Sequence, residues 1–234
     1  MGTSAADSPI VLHPRGILFD MDGVLISSIG SVQRSWEKWA SARAISPAFA
    51  IRTAHGRRAI EAVRLLRPDL NDQQELAWIE QMEVADNVGL EMLPGVRPIL
   101  DALPENLWTV VTSATDRLAR VRMAQGGVPV PARIVSADSV THGKPAPDPY
   151  LQGAAILGLA PADCLVIEDS VSGVTAGQAA GCQVLATLFS HSLASLVAAD
   201  WIVRSLEDVR VQVAGGAIAV SITPVSREVI VAPI

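Results

Sequence analysis

The chain has 234 residues, half of them hydrophobic, and a formal net charge of −6 at neutral pH. This length suits one large domain, or a core domain with a small inserted one, and the apolar content suffices for a substantial buried core. The acidic balance and the lack of a basic run argue against nucleic acid and against an anionic membrane surface as partners. A site that handles phosphate would therefore need its positive charge concentrated locally.

The N-terminal segment and the cysteines predict a cytoplasmic protein. Residues 1–8 lack the basic and apolar regions of a signal peptide, and no apolar run reaches the roughly 18 residues of a membrane span. Cys164 and Cys182 lie outside any metal-ligand spacing, which favours free thiols in a reducing compartment. The sequence does not distinguish a monomer from a small homo-oligomer.

The first predicted strand, at about 15–20, follows a segment predicted to be a loose tail, residues 1–14. The strand ends in two carboxylates, Asp20 and Asp22, and then Gly23. Burying acids is costly unless a cation or hydrogen bonds compensate. The pair therefore suggests a hard metal such as Mg²⁺, or acid–base chemistry. An ordinary polar turn is the alternative, because Asp and Gly are common turn residues.

Residues 31–92 are predicted to form an all-helical insertion of three helices. Val32, Trp36 and Trp39 recur at the spacing of one helical face, and the block has no convincing strand pattern. We therefore expect an α/β core formed by residues 1–30 and 93–234, with a separate helical domain inserted after the first strand.

From residue 93 onward, apolar strand patterns alternate with helical patterns. The predicted helices are 98–103, 115–125, 148–158 and 170–180, and Thr115 and Ser170 are the expected N-caps. The predicted strands are 107–111, 133–135, 164–167 and 182–188. This alternation predicts an α/β fold with a doubly wound parallel sheet. The segments 209–213 and 217–222, around a Gly-Gly pair, predict a C-terminal β-hairpin.

Polar residues follow the ends of the predicted strands and should meet at one edge of the sheet, where ligands bind in such folds. These residues are Asp20, Asp22, Thr112, Ser113, Lys144, Glu168 and Asp169. A phosphate ester suits this set best, because Mg²⁺ accepts carboxylates and lysine offers a point charge to a phosphoryl group. One carboxylate could attack phosphorus, and a second could protonate the leaving alcohol.

Four of these segments resemble the four motifs of the haloacid dehalogenase (HAD) superfamily, in the same order. They are Asp20-Met21-Asp22-Gly23-Val24, Thr112-Ser113, Gly143-Lys144-Pro145 and Glu168-Asp169-Ser170-Val171-Ser172-Gly173. Within the superfamily the chain is similar to phosphatases with a helical cap (C1 type) inserted after the first strand, above all to sugar-phosphate and glycerol-phosphate phosphatases. Those enzymes carry a similar His-Gly-x-Arg in the cap, which corresponds to residues 55–58 here.

The resemblance implies a role for each matching residue. It makes Asp20 the nucleophile and a Mg²⁺ ligand, and Asp22 the general acid/base whose backbone carbonyl also binds the metal. Asp169 would be a further metal ligand, and Glu168 would bind the ion or support it indirectly. The phosphoryl group would contact Thr112, Ser113 and Lys144.

Two cap residues, His55 and Arg58, are expected to face the site and select a small-molecule phosphate ester. A helix cap with a solvated arginine is the plainer alternative for this pair.

The alternative within the superfamily is a β-phosphoglucomutase-like hexose phosphomutase. Mutases of this group are expected to have a hinge histidine at the position that Val32 occupies here, so the resemblance favours hydrolysis. Two rivals of other classes are a signalling receiver domain and a non-catalytic binding protein on the same fold. A receiver domain is shorter and lacks the helical insertion, and four intact motifs argue against the loss of catalysis.

Overall fold

The computed structural model describes residues 9–226, which form ten strands and eight α-helices. The strands are β1 (Ile10–Leu12), β2 (Gly16–Phe19), β3 (Ile26–Ser27), β4 (Glu91–Met92), β5 (Trp108–Val110), β6 (Cys164–Glu168), β7 (Gln183–Thr187), β8 (Trp201–Val203), β9 (Val209–Ala214) and β10 (Ala217–Ile222). The helices are α1 (Ile29–Ala42), α2 (Pro47–Ala54), α3 (Ala59–Leu66), α4 (Asp72–Ala85), α5 (Val96–Ala102), α6 (Asp116–Gln125), α7 (Asp148–Leu157) and α8 (Val171–Ala179).

Five parallel strands form the central sheet in the order β5-β2-β6-β7-β8. Alternate residues of β2 enter two hydrophobic clusters, Ile17 and Phe19 on one side and Leu18 on the other. The sheet is therefore covered on both faces, as its run of buried residues requires. The predicted doubly wound α/β fold is confirmed. In the register of the sheet, Phe19 lies beside Ile167, which makes Asp20 and Glu168 neighbours at the carboxyl edge.

Two details of the predicted sheet are wrong. Residues 133–135 are not a strand, because Val135 makes a single isolated bridge to Val111. Beyond β7 the sheet gains β8, which the sequence analysis did not assign because three residues are too few to show a period. The predicted helix caps are confirmed, since the side chain of Thr115 accepts from Leu118 N–H and that of Ser170 accepts from Gly173 N–H.

The ends of the described chain form a second, antiparallel sheet in the order β1-β10-β9. The pairing of β9 with β10 around a Gly-Gly turn confirms the predicted hairpin. The loose tail is wrong for residues 10–12, because β1 pairs with β10 and buries Leu12 in the core. Pairing with a strand two hundred residues away leaves no local signal. Residues 1–8 of the predicted tail lie outside the described residues.

The four helices α1 to α4 lie between β3 and β4, which pair antiparallel where the chain leaves the core and returns. The helices share their own hydrophobic cluster. In it the rings of Trp36 and Trp39 pack edge to face, with their centroids 5.2 Å apart. The sequence predicted three helices and no strand in residues 31–92, and both details are wrong. Pro47 begins an additional helix, α2, and the short strand β4 falls inside this segment. The division into a core, residues 1–30 and 93–234, and a helical cap, residues 31–92, is our proposal.

The helices of the described chain are short. The longest, α1 and α4, have 14 residues each, whereas crossing a bilayer takes about 20. Across residues 9–226, no helix combines the length and apolar character needed to cross a membrane.

The central strand β6 should be the most sensitive to loss of packing. Leu165 is fully buried, and Leu165→Ala is expected to lower the free energy of unfolding by about 2–5 kcal/mol. The matched control is Leu65→Ala, because that leucine is 64% exposed and should change stability little. Urea denaturation of both variants measures the difference, and equal stabilities would contradict the packing described here.

Candidate active site

Asp20 and Asp22 lie in the turn that follows β2. The backbone N–H of Asp20 still donates to Ile167 O at 2.9 Å, which fixes the first acid at the edge of the sheet. Gly23 has a φ of 84°, and a Cβ atom there would collide with the Asp169 carboxylate. Glycine at this position therefore allows the turn to lie directly against Asp169.

Lys144 is the cation of the site and is 2% exposed. Its ammonium donates to Asp20 Oδ1 at 2.6 Å, to Glu168 Oε1 at 2.7 Å and to Val111 O at 2.9 Å. These three acceptors come from the ends of β2 and β6 and from the residue after β5. A buried ammonium that fills its three hydrogen bonds in this way ties the three strand ends together.

Both oxygens of Glu168 are occupied by hydrogen bonds. Oε1 accepts from Lys144 and from the hydroxyl of Tyr150, the latter at 2.8 Å. Oε2 accepts from the backbone N–H groups of Asp169 and Ser170 and from the Ser170 hydroxyl, at 2.9 to 3.0 Å. Five donors exceed the roughly four lone-pair positions of a carboxylate. The geometry therefore favours Glu168 as a support for its neighbours over a direct ligand of an ion.

The acids at this edge form a buried cluster. Asp20, Glu168 and Asp169 bring carboxylate oxygens within 4.8 Å of one another. Three carboxylates and one ammonium leave two negative charges uncompensated in a buried site, which is the charge of one divalent cation. Oxygen donors are the ligands that hard divalent ions prefer. Lys144 contacts Asp20 through Oδ1 alone, so Asp20 and Asp169 are the acids that could hold such an ion.

The pKa shifts of these three acids reflect the same shortage of positive charge. Burial raises the pKa of Asp20, and Lys144 opposes this rise while the charge of Glu168 adds to it. Burial also raises the pKa of Asp169 well above its usual range, with Glu168 and Asp20 acting in the same direction. For Glu168 burial acts against ionisation, but Lys144 outweighs it and the pKa is lowered. Lys144 thus compensates Glu168 and leaves the two aspartates in need of a further positive charge.

Thr112 and Ser113 follow β5 at the same edge and line the cavity above the acids. Thr112 is buried, and its hydroxyl accepts from Ala114 N–H at 3.1 Å. The Ser113 hydroxyl lies 3.5 Å from Gly56 O of the helical insertion. Ser113 therefore makes the longer hydrogen bond of the two hydroxyls, and its partner belongs to the helical insertion.

His55 and Arg58 both lie in the wall of the same cavity. The ring of His55 contacts that of His191, with centroids 4.7 Å apart, and His191 Nδ1 is 3.0 Å from Asp169 O. Burial, followed by the charge of His191, lowers the pKa of His55 and favours the neutral imidazole. Arg58 instead binds Glu61 and the carbonyls of Val140 and Thr141, the carbonyl contacts at 2.9 Å. Arg58 therefore joins the helical insertion to the loop that precedes Lys144.

The sequence analysis missed Arg122. This residue lies on α6 and is 2% exposed, and its Nη1 is 3.0 and 3.1 Å from the two carboxylate oxygens of Asp22. Burial acts to lower the pKa of Arg122, but Asp22 and Glu83 together raise it. Burial raises the pKa of Glu83 to about 7, against the charge of Arg122. The available signal was an arginine on the face of α6 that also carries Leu118 and Met123.

Comparisons with known proteins show the family of the chain. The family model for haloacid dehalogenase-like hydrolases matches residues 14–181. The chain belongs to this family. Hexitol phosphatase A of Escherichia coli K12 is 37% identical to this chain over 202 residues, which cover 84% of this chain and 94% of that protein. Glycerol-1-phosphate phosphohydrolase 2 of Saccharomyces cerevisiae is 30% identical over 218 residues, 87% of each chain.

Solved structures show the same fold. The crystal structure of β-phosphoglucomutase from Clostridium difficile matches this chain with a TM-score of 0.71 at 18% identity. The match covers 82% of this chain and 92% of that one. The predicted family and the predicted enzyme class, a phosphoric monoester hydrolase, are confirmed. The roles assigned to individual residues stay predictions.

Gly173 tests the support that Glu168 gives to the site. A Cβ atom at this position would collide with the Glu168 carboxylate. Gly173→Ala is expected to displace that group and lower kcat/KM for p-nitrophenyl phosphate by about 10²-fold, the effect of a misplacement of roughly 1 Å. Gly30→Ala is the matched control, because its nearest neighbour is the flexible end of Arg34. A folded Gly173→Ala enzyme with undiminished kcat/KM would contradict this role of Glu168.

Proposed function

We propose that the hydrolase is a Mg²⁺-dependent phosphatase that acts on a small sugar or polyol phosphate through a phosphorylated Asp20. The observation that carries the proposal is the buried Lys144 ammonium, bonded to Asp20 and Glu168 beside Asp169 at the floor of a cavity. The hexitol phosphatase and glycerol-1-phosphate phosphohydrolase relatives support the substrate class.

The residues at the sheet edge fit a magnesium ion. Asp20 and Asp169 would supply carboxylate ligands, and the backbone carbonyl of Asp22 a third, while Glu168 would hold Lys144 and the Asp169 backbone in place. Bound Mg²⁺ would neutralise phosphate oxygens and stabilise the charge that develops during transfer. The two uncompensated negative charges of the cluster support a divalent ion over a monovalent one.

The chain's own residues account for both halves of the reaction. Asp20 Oδ2, which Lys144 does not contact, attacks phosphorus, and the bond to the leaving oxygen breaks as Asp22 donates a proton to that oxygen. Ser113 donates to a phosphoryl oxygen in this step, and the charge of Lys144 beside Asp20 stabilises the phosphoryl group without a further hydrogen bond. Water then attacks the phosphorus of phosphorylated Asp20, Asp22 takes the proton from that water, and inorganic phosphate leaves with Asp20 regenerated.

The cavity supports an uncharged, hydroxyl-rich leaving group. Its volume of about 330 Å³ suits a small molecule, and Glu80, Glu83 and Gln33 offer polar atoms along its wall. A substrate with a second negative charge would meet the carboxylates of Glu80 and Glu83, which disfavour it although Arg117 and Arg122 offset part of their charge. Three of the four arginines that also line the cavity, Arg58, Arg64 and Arg122, are already paired with acids of the protein, and Arg57 is the fourth.

The phosphomutase alternative has no support from the cavity wall at position 32. Val32 lies in that wall and has no group that could accept or donate a proton. A mutase structure at 18% identity shows the fold alone. The cytoplasmic location stays a prediction from the sequence.

Purified enzyme with Mg²⁺ is expected to release phosphate from p-nitrophenyl phosphate and, with higher kcat/KM, from a hexitol or glycerol phosphate. EDTA should abolish the release and added Mg²⁺ should restore it. Phosphoglycolate, with its extra carboxylate, should be a poorer substrate than the polyol phosphates. Phosphate release measures all three outcomes, and Asp20→Asn enzyme prepared in parallel corrects for contaminating phosphatases. No turnover across the panel, or faster isomerisation of a hexose 1-phosphate than hydrolysis, would refute the proposal.

A further inference from the structure

The guanidinium of Arg122 is the one buried cation of α6. Arg117 and Arg120 of the same helix are 65% and 40% exposed at their side chains and pair with Glu80 and Asp116. Arg122 instead points inward with 3% of its side chain exposed, and its Nη1 donates to both oxygens of Asp22. The two residues are separated by 100 positions in the chain, so this contact exists only because α6 packs against the turn after β2.

Arg122 has a second acidic neighbour, which belongs to the helical insertion. Its Nη2 lies 3.6 Å from Oε2 of Glu83 on α4, too far for a hydrogen bond. Arg122 thus lies between Asp22 of the core and Glu83 of the insertion. Both acids and the guanidinium line the cavity that contains Asp20.

Stability does not explain an arginine at this position. Its buried Nε and Nη2 atoms have no hydrogen-bond partner among the described residues, and such atoms cost free energy. Replacing a buried ion pair by a well-packed apolar side chain is often neutral or stabilising. The neighbours of Arg122 on this face, Leu118 and Met123, show that α6 could present an apolar residue here. A buried charge that stability does not require points to a role in the reaction.

We propose that Arg122 is a positioning residue, which holds the Asp22 carboxylate where it can transfer a proton to the leaving-group oxygen. This inference rests on the proposed function, in which Asp22 is the general acid. A partly exposed carboxylate would otherwise sample several rotamers, whereas one whose two oxygens both accept from a buried guanidinium has a fixed direction. Glu83 keeps the guanidinium between two acids, so the helical insertion takes part in setting that direction.

This role makes the effect of Arg122 depend on the leaving group. A basic leaving group needs a proton as its bond to phosphorus breaks, whereas a weakly basic one can depart as an anion. Phenyl phosphate and p-nitrophenyl phosphate have similar shapes, and phenol is the more basic leaving group. A merely structural change would lower kcat/KM equally for both esters.

The experiment compares Arg122→Met with Arg120→Met, a matched substitution of the exposed arginine on the same helix. Arg122→Met is expected to lower kcat/KM about 10²-fold for phenyl phosphate and less than about tenfold for p-nitrophenyl phosphate. Arg120→Met should leave both values unchanged. Arg122→Lys should restore part of the loss on phenyl phosphate, because it keeps the positive charge but not the reach and planar geometry of the guanidinium. If Arg122→Met does not fold, Arg122→Lys must show the same selective loss.

The double variant Asp22→Asn/Arg122→Met gives an independent readout. If Arg122 acts through Asp22, the double variant should be no slower on phenyl phosphate than Asp22→Asn alone. An equal loss on both esters, or losses that multiply in the double variant, would overturn the proposal. A wild-type enzyme that hydrolyses neither these esters nor the polyol phosphates would refute the proposed function itself, which is a different result.

Discussion

The burial of one ammonium group between acids from neighbouring strand ends is the constraint on which the site depends. Lys144 contacts Asp20, Glu168 and Val111 at 2.6 to 2.9 Å, and none of these groups could stay buried in a charged or polar state without its partners. Removing one partner would leave a buried charge uncompensated, which is far costlier than losing a surface ion pair. The order of β5, β2 and β6 in the sheet is therefore tied to the chemistry at its edge.

The sequence predicted the parts of this arrangement that follow from short-range patterns. The apolar runs that end in Asp20, Thr112 and Glu168 identify strands, and parallel strands bring their carboxyl ends together whatever the side chains are. The family resemblance assigned roles to those residues, and the family itself is confirmed. The sequence also predicted that Lys144 lies at the carboxyl edge of the sheet, because its loop follows a predicted strand.

The rest depended on contacts between distant parts of the chain. The strand β1 owes its existence to β10, and the contact between Arg122 and Asp22 spans 100 positions. Five competing donors decide the environment of Glu168, and no pattern of residue types shows that they converge on one carboxylate. Arg58 illustrates the same limit, because its motif indicated a residue that faces the site but not the carbonyls that its guanidinium binds.

The central claim is that Asp20 becomes phosphorylated during turnover. The most direct measurement is reduction by borohydride of enzyme quenched during turnover, followed by mass spectrometry of the peptide that contains residues 16–25. An acyl-phosphate is reduced to an alcohol, so the account predicts homoserine in place of Asp20 and no change at Asp22 or Asp169. Phosphate release without any modification of Asp20, or with modification of another acid instead, would contradict it.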